Sequence, residues 1–323
     1  MTWLITGGAG YIGSHVVFEA LQSGRKVVVL DDLSTGIRSR LPEDVPFEKV
    51  TLTDREAVFQ VFENHKITGV LHLAAKKQVG ESVLRPDYYW EENVGGLQNL
   101  VDAMVEHDVK NFVFSSSAAV YGQPNLDPGA LISESLECEP INPYGETKLE
   151  GEHIAEKHAI NFDFKVAALR YFNVAGAGRP ELGDQFAFNL VPIVFEALDK
   201  GEQPKVFGDD YPTADGSCIR DYVHVQDLAE AHVAAMDFVE KSGPTFLPIN
   251  IGTGSGSSVF EVIDEISKVS GIGVNPVHIE RREGDPAALV ADVSRASEIL
   301  TWRSQRDLSD TVKSAWNAWK FNR

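Results

Sequence analysis

The first part of the chain alternates short apolar runs with longer segments in which apolar side chains recur at helical spacing. Residues 3–5 form one such run, and residues 12–21 carry apolar positions on one helix face. Similar runs predict strands at residues 26–31, 47–50, 67–75, 111–115 and 165–170. A turn at residues 34–36 joins the strands at 26–31 and 47–50, and helices are predicted between the later strands. Strands that alternate with helices are typical of a parallel, doubly wound sheet, because a parallel crossover needs a long connection.

Capping residues define two of these helices more closely. Thr53 with Glu56 has the pattern of a capping box at the start of a helix. A further helix begins at Pro86 and runs to about Glu106. The loop at residues 121–141 ends at Asn142, an N-cap residue followed by a proline at the first helical position.

The pattern loosens after about residue 173, where long loops surround an isolated helix near residues 186–200. An amphipathic segment at 227–239 and an apolar run at 247–251 again have the pattern of the first domain. We therefore predict a first domain at 1–172, with about 219–251 returning to it, and a smaller, interleaved α/β substrate-binding domain at 173–323.

The chemistry begins with glycines at positions 7, 10 and 13, between the first predicted strand and the first helix. Gly7 permits a sharp turn, Gly10 lets a phosphate approach the backbone, and Gly13 allows close packing of helix and strand. A pyrophosphate could then bind at the helix N-terminus. A purely structural glycine turn is the alternative, since such motifs also occur by chance.

The end of the second strand favours the dinucleotide interpretation. Asp31 lies 18 residues after Gly13, where a carboxylate would accept hydrogen bonds from the adenosine ribose. A carboxylate there would repel a 2′-phosphate, so we expect NAD rather than NADP in a Rossmann-type domain.

Composition narrows the class of protein. The 323 residues are 43% hydrophobic and 24% charged, which suits a globular protein of about two domains. A net charge of −19 without a visible basic patch argues against nucleic acid or anionic membrane as a partner. An anionic substrate would need a few well-placed cations, for which Arg220, Arg281 and Arg282 are candidates.

Other features are expected to be absent. Cys138 and Cys218 have neither metal-site nor disulfide spacing, so we expect two free thiols and no metal. The chain shows no signal-peptide pattern and no apolar run of membrane-spanning length, which predicts a cytoplasmic protein.

Tyr144 and Lys148 are one helical turn apart on the same face of the helix that follows Asn142. A nearby cation favours the phenolate of a tyrosine, which can then act as a general base near neutral pH. An ordinary surface pair is the alternative. The position after the strand at 111–115 favours function, because that strand ends in Ser115, Ser116 and Ser117, whose hydroxyls could share a substrate proton.

On these residues the chain resembles the extended short-chain dehydrogenase/reductase superfamily and, within it, the UDP-galactose 4-epimerase family. The likeness extends over nearly the whole chain. It includes TGGAGYIG at residues 6–13, VGES at 79–82, FSSSAAVYG at 114–122 and LRYFN at 169–173. The segments YPTADG at 211–216, IRDYVHV at 219–225 and RREGD at 281–285 are more specific to the epimerases.

The resemblance implies roles for particular residues. Tyr144 would be the base, Lys148 would bind the nicotinamide ribose, and Ser117 would orient the sugar 4-hydroxyl. The implied NAD site comprises Gly7, Gly10, Tyr11, Ile12, Gly13, Asp31, Thr51, Leu73, Ala74, Ala75, Lys77, Asn93, Ser115, Tyr144, Lys148 and Phe172. The implied UDP-sugar site comprises Lys77, Ser117, Tyr144, Asn173, Asn189, Leu190, Val206, Phe207, Arg220, Arg282, Asp285 and Leu289.

Three positions depart from the family pattern. Thr51 stands where an Asp that contacts the adenine is usual, and Leu73 stands where an aromatic residue is common. Leu289 stands where epimerases carry either a bulky Tyr or a small residue that decides whether an N-acetylated sugar fits. The resemblance also implies a homodimer formed through helices near residues 87–106 and 144–158.

The implied reaction is the interconversion of UDP-glucose and UDP-galactose through a transient 4-keto sugar, with NAD as hydride acceptor and donor. Epimerisation of UDP-N-acetylglucosamine, UDP-xylose or a UDP-uronic acid stays open. A net dehydrogenase or a non-catalytic NAD-binding scaffold would use the same fold. A 4,6-dehydratase is disfavoured, because such enzymes carry an Asp-Glu pair where this chain has Ala118 and Ala119.

Overall fold

The computed structural model describes residues 1–124, 126, 129–282 and 285–323. Asn125, Asp127 and Pro128 of the predicted 121–141 loop therefore lie outside the described residues. The same holds for Glu283 and Gly284 of the 281–285 motif.

The chain folds as an α/β protein in which strands and helices alternate. The strands are β1 (Thr2–Thr6), β2 (Lys26–Leu30), β3 (Phe47–Glu48), β4 (Gly69–His72), β5 (Asn111–Ser115), β6 (Lys165–Tyr171), β7 (Asn173–Ala175), β8 (Lys205–Phe207), β9 (Ile219–His224), β10 (Thr245–Ile251), β11 (Gly256–Ser258), β12 (Val277–Ile279) and β13 (Ala288–Leu289). The helices are α1 (Tyr11–Gln22), α2 (Arg55–Asn64), α3 (Val79–Leu84), α4 (Pro86–Tyr89), α5 (Gly96–Glu106), α6 (Pro143–Phe162), α7 (Leu190–Lys200), α8 (Val225–Lys241), α9 (Val259–Ser270), α10 (Ser294–Leu300) and α11 (Leu308–Phe321).

A seven-stranded sheet forms the larger part of the molecule. Its order is β3-β2-β1-β4-β5-β6-β10, and every neighbouring pair is parallel. The order reverses at β1, which is the topological switch point of a dinucleotide-binding fold. The predicted Rossmann-type sheet is therefore confirmed.

Helices cover both faces of this sheet, as a fully parallel sheet requires. One face packs on α1 and α8 through a core that includes Val16, Val17, Leu228 and Met236. The opposite face packs on α2, α5 and α6 through a second core. All the strand carboxyl ends consequently point to one edge of the sheet, which is left uncovered for a site.

The smaller part is built on β9, which pairs with β7, β11 and β13, and on the separate pair β8 and β12. Its core packs α7, α9 and α11 together through side chains such as Phe195, Ile266 and Trp316. The sheet topology places β10 in the larger sheet and β9 in the smaller one, and α8 packs on a face of the larger sheet. The predicted domain limits stay a prediction.

Several predicted elements differ in their ends. Asp54, rather than Thr53, caps α2, because its side chain accepts a hydrogen bond from Ala57 N, so the predicted capping box is wrong. The predicted helix near residue 186 begins at Leu190, after Asn189 as N-cap residue. The predicted helix at 86–106 is a continuous run in which residues Trp90–Gly95 are π-helical, between α4 and α5.

Candidate active site

The predicted cofactor residues all follow the carboxyl ends of strands in the larger sheet or lie on helices beside that edge. Gly7 and Gly10 lie in the turn between β1 and α1, Tyr11, Ile12 and Gly13 begin α1, and Asp31 follows β2 directly. Thr51 follows β3, residues 73–77 follow β4, Ser115 ends β5 and Phe172 follows β6. Asn93 lies in the π-helical turn, and Tyr144 and Lys148 lie in the first half of α6. Sequence positions far apart are therefore brought to one edge.

The glycine turn is close-packed against its neighbours. Gly7 has φ +71°, and a Cβ there would lie 2.7 Å from Ala74 N. A Cβ on Gly13 would lie 2.0 Å from Gly7 O and 2.8 Å from Gly8 Cα. Both positions therefore need glycine, the first for its backbone conformation and the second for the close approach of α1 to the turn.

The N-terminus of α1 fits a bound anion. Its N-cap residue is Gly10, which has no side chain to accept hydrogen bonds from the first-turn N–H groups. Among the described atoms, a Cβ on Gly10 would meet only Gly7 O within 4 Å, at 3.2 Å. The helix dipole and the free N–H groups thus face open space, which suits the pyrophosphate of a dinucleotide.

Asp31 is buried beside this turn. Its Oδ2 accepts a hydrogen bond from Ala9 N at 3.0 Å, and its Oδ1 accepts one from Leu33 N at 2.9 Å. Burial raises the pKa of the Asp31 carboxyl, and these two N–H groups oppose that rise. Each carboxylate oxygen keeps acceptor capacity, so the group can still receive hydrogen bonds from a ribose.

The segment after β4 is held in place by Asn93. Its Oδ1 accepts from Lys76 N at 2.8 Å, and its Nδ2 donates to Lys76 O at 3.0 Å and to Thr147 Oγ1 at 3.0 Å. Lys76 Nζ reaches Ser34 Oγ at 3.1 Å, on the loop after β2. These contacts fix residues 73–77 between the cofactor edge and α6.

Tyr144 and Lys148 project from the first turns of α6 toward the end of β5. The helix starts sharply because Asn142 Oδ1 accepts from Gly145 N at 2.9 Å and Pro143 occupies the first helical position. Lys148 Nζ lies 6.0 Å from the centroid of the Tyr144 ring. The predicted same-face arrangement is present in the structure.

Ser117 faces the phenol from the loop after β5. Burial raises the pKa of Tyr144, whereas the hydrogen bond with the Ser117 side chain lowers it. Ser117 also caps the short 3₁₀ turn Ala118–Tyr121, because its Oγ accepts from Ala119 N at 3.1 Å. The hydroxyl is thereby held in one position beside the phenol.

Lys148 is 4% exposed, and its Nζ donates to Ser115 O at 2.7 Å. Burial lowers the pKa of Lys148 to about 8, although the carboxylate of Glu152 acts in the opposite direction. An ammonium in this position electrostatically favours deprotonation of Tyr144. The pair can therefore act as a general base with an adjoining cation.

A cavity of about 770 Å³ opens beside this edge, between the larger and smaller sheets. Arg220, Arg282 and Phe207 lie in its wall. The predicted substrate residues that line it are Lys77, Asn173, Asn189, Leu190, Val206, Phe207, Arg220, Arg282 and Asp285. A nucleotide sugar is of a size that such a cavity can hold.

The three arginines singled out from the net charge have different surroundings. Arg220 forms an ion pair with Asp285 and donates to Pro286 O at 2.9 Å. The Arg282 guanidinium lies 3.7 Å from the centroid of the Phe207 ring in the cavity wall. Arg281 instead pairs with Asp210 in a separate surface depression. Of these three arginines, Arg220 and Arg282 therefore border the cavity and Arg281 does not.

Leu289 lies near the cavity rather than in its lining. It pairs with Arg220 in the register of β13 and β9. Its side chain packs against a small apolar cluster that contains Val120, Tyr121 and Phe172. The residue thus connects the cavity wall with the Phe172 side of the cofactor edge.

Sequence reasoning missed several lining residues. Cys218 and Tyr222 flank Arg220 in the cavity wall, and the 219–225 motif could have indicated Tyr222. Phe188 also lines the cavity and stacks on Phe186, with ring centroids 5.7 Å apart. No pattern in the sequence marks these two phenylalanines.

Other expectations concern chemistry outside this edge. Cys138 and Cys218 are free thiols in the structure. Within the described ranges, no three His, Cys, Asp or Glu side chains are grouped as metal ligands. The described helices also include none that is both long and apolar enough to cross a bilayer.

Comparison with known proteins gives consistent matches. The model of the NAD dependent epimerase/dehydratase family matches residues 3–252. The UDP-glucose 4-epimerase of Halalkalibacterium halodurans is 44% identical over 322 residues, covering 98% of this chain and 95% of the relative. That of Bacillus subtilis is 44% identical over 329 residues, covering 98% and 96%.

A solved structure is similar over the same length. The UDP-glucose-4-epimerase from Stenotrophomonas maltophila, with bound NAD and formylated UDP-arabinopyranose, is 37% identical, with a TM-score of 0.93. The match covers 99% of this chain and 98% of that one.

Proposed function

The chain belongs to the NAD dependent epimerase/dehydratase family, and on that basis we propose that it interconverts UDP-glucose and UDP-galactose by inverting C4 of the hexose. The enzyme is an isomerase with NAD as its cofactor. Curated relatives at 44% identity carry the UDP-glucose 4-epimerase activity in their names, over nearly their full lengths.

We assign the base to Tyr144. Its phenolate removes the proton of the sugar 4-hydroxyl and later returns a proton to the same oxygen. Lys148 supports the phenolate through its positive charge, and Ser117 holds the 4-hydroxyl oxygen in line with the phenol. A hydroxyl, a phenol and an ammonium form the minimal set for moving one proton at C4.

Bound NAD supplies a hydride acceptor and, once reduced, a hydride donor at C4. The turn at Gly7–Gly13 and the α1 N-terminus would hold its pyrophosphate, and Asp31 would accept hydrogen bonds from the adenosine ribose. Because the hydride is returned, the reaction has no net redox change. The cofactor edge therefore has no need to release NAD in each turnover.

Most of the binding energy belongs to the nucleotide. Arg220 and Arg282 provide charge-assisted hydrogen bonds to the diphosphate, and Asp285, which pairs with Arg220, lies beside them in the cavity wall. The hexose is left with few charged contacts. It can therefore present either face of its 4-keto form to the cofactor while the UDP remains bound.

The observation that carries this proposal is the position of Tyr144, Lys148 and Ser117. They lie at the strand edge that carries the glycine turn. An epimerase needs the proton acceptor and the hydride acceptor on one sugar carbon, which this arrangement allows. A non-catalytic scaffold would have no use for a buried lysine beside a phenol.

The test is an assay of C4 epimers with UDP-glucose, UDP-galactose and UDP-N-acetylglucosamine, each without added NAD. We expect UDP-glucose and UDP-galactose to interconvert. Tyr144→Phe should lower turnover by about 10³-fold while UDP binding, measured on the same variant, changes little. Near-normal turnover of that variant would refute the assignment.

Two further proposals concern the molecule in its cell. We propose a homodimer formed through the helical segments at 87–106 and 144–158, the first of which exposes the Trp90 side chain. We also propose a cytoplasmic location. Light scattering of the purified protein tests the dimer, and a clean monomer at micromolar concentration would contradict it.

A further inference from the structure

A buried ion pair lies directly behind the proposed base. Glu152 is on α6, one turn beyond Lys148, and Arg170 is on β6 next to β5. Arg170 Nε donates to Glu152 Oε1 at 2.9 Å, and Arg170 Nη2 donates to Glu152 Oε2 at 2.5 Å. Glu152 is 2% exposed and Arg170 is 5% exposed, so water does not screen the pair.

The pair is attached to the segment that carries the site. Ser116 Oγ donates to Glu152 Oε1 at 2.5 Å, and Ser116 is completely buried. Its two neighbours are Ser115, whose carbonyl accepts from Lys148, and Ser117, which contacts Tyr144. The hydrogen bond from Ser116 to Glu152 therefore fixes the residue that lies between Ser115 and Ser117, and these two residues contact the proposed catalytic pair.

The other end of the pair is anchored as well. Arg170 Nη1 donates to the Tyr121 hydroxyl oxygen at 3.0 Å, and that hydroxyl donates to Asn250 Oδ1 at 2.7 Å. Asn250 lies in β10, and its Nδ2 donates to Ile132 O at 2.7 Å. The network extends from α6 through β6 to β10, so neither charge can move independently.

The carboxylate also acts on Lys148 through its charge. Glu152 is the charged group that raises the pKa of Lys148. His72, facing from β4, is neutral because burial lowers its pKa to about 3. The phenols of Tyr144 and of Tyr171, which hydrogen-bonds Ser115 Oγ, also lie nearby. Glu152 is thus the negative charge that favours the ammonium form.

Stability alone gives little reason for such a pair. Removing two charges from water costs free energy that their attraction often does not recover, and well-packed apolar residues are frequently as good. A fully hydrogen-bonded ion pair does, however, fix the relative positions of the segments that carry it. Its location behind Ser116 makes that effect relevant to the reaction.

We propose that Glu152 and Arg170 are positioning residues for the epimerisation, holding Ser115 to Ser117 against Lys148 and Tyr144 and maintaining the positive charge of Lys148. The inference rests on the proposed function for its kinetic readout. Neither residue touches the substrate in this role. Their effect passes through the three-serine segment and through the field at Lys148.

Two variants separate positioning from charge. Ser116→Ala removes the hydrogen bond and keeps both charges, whereas Glu152→Met with Arg170→Met removes both charges and keeps an apolar filling. The matched controls are Ser267→Ala, which removes one hydrogen bond on α9, and Glu265→Met with Lys268→Met, which removes a surface ion pair. All four proteins are purified with their cofactor and assayed from pH 6 to 10.

For Ser116→Ala we expect kcat to fall about tenfold, with KM for UDP-glucose within about twofold and the alkaline limb of kcat unchanged. For the double Met variant we expect the alkaline limb to move to lower pH, since the Glu152 carboxylate, which is the charged group that raises the pKa of Lys148, is lost. The controls should behave as the parent protein does. An unchanged alkaline limb in the double variant, or a kcat loss that only follows the unfolded fraction, would overturn the proposal.

A titration independent of turnover keeps the inference separate from the proposed function. With lysine labelled at the ε carbon, NMR follows the protonation of Lys148 in the parent and double Met proteins. A parent protein that epimerises no UDP-sugar refutes the function, whatever this titration gives. A parent that turns over normally, with the same Lys148 titration in both proteins, refutes the inference alone.

Discussion

Replacement of Gly13 by Ala should push the start of α1 away from the glycine turn that follows β1. The added Cβ would lie 2.0 Å from Gly7 O, whereas real Cβ atoms essentially never come within 3.0 Å. The start of α1 must therefore move by about 1 Å against backbone atoms that cannot rotate away. Forcing a methyl into a packed region costs about 1–3 kcal/mol, and contact with backbone places this case at the upper end.

Two measurements follow from that displacement. A loss of about 3 kcal/mol in a chain of this size lowers the melting temperature by roughly 4 °C. A 1 Å shift of the first-turn N–H groups also breaks their fit to a pyrophosphate. The purified variant should therefore contain little NAD, measured as nucleotide released on denaturation.

Gly24→Ala is the matched control at the other end of α1. Gly24 has φ +82°, but a Cβ there would meet nothing within 4 Å. That variant should lose about 1 kcal/mol through backbone strain and keep its NAD. If Gly13→Ala retains a full complement of NAD and the parent melting temperature, the assignment of this turn to the cofactor is refuted.

Further predictions concern charge and specificity. Since the pKa of Lys148 is lowered to about 8, kcat should decline as pH rises through about 8, because the ammonium is lost there. The variant Lys148→Met should have a low kcat that shows no such decline with pH. The same lysine has an ordinary pKa of 10.5 when unfolded, so the unfolded chain binds more protons between these values. Urea unfolding should then show stability rising from pH 8 to about 10.5 in the parent but not in Lys148→Met. Leu289→Ala should raise kcat/KM for UDP-N-acetylglucosamine about tenfold relative to UDP-glucose. The volume-conserving variant Leu289→Met should leave this ratio unchanged. An unchanged ratio in Leu289→Ala would show that the size of Leu289 does not determine which sugar binds.

Local patterns predicted the larger sheet well because its strands are short, apolar and separated by amphipathic helices. The strand at Asn111–Ser115 and the N-cap at Asn142 were both expected at these residues. The strands of the smaller part were harder to predict, because strands such as β8 and β13 have only three and two residues. Such strands are defined by their partners, so no periodicity in their own sequence reveals them.

In the site, too, the features that are local in sequence could be predicted, and those that depend on the fold could not. The glycine turn and the Tyr144–Lys148 spacing are local in sequence and were predicted from it. The Glu152–Arg170 pair joins residues 18 positions apart on different elements, and each residue alone has the pattern of a surface charge. Only the fold determines that these two side chains are buried, paired with each other and close to the proposed base.

The position of β10 has a consequence for how the protein is made. It pairs with β6 along seven residues, from Thr245 against Lys165 to Ile251 against Tyr171. A ribosome must therefore synthesise about eighty residues beyond β6 before β10 is complete and can pair with the outer edge of β6. Meanwhile the nascent chain carries an open strand edge, which favours pairing with other chains. Translation that stops within this interval should yield aggregating fragments, and chaperones should be needed most at this stage of synthesis.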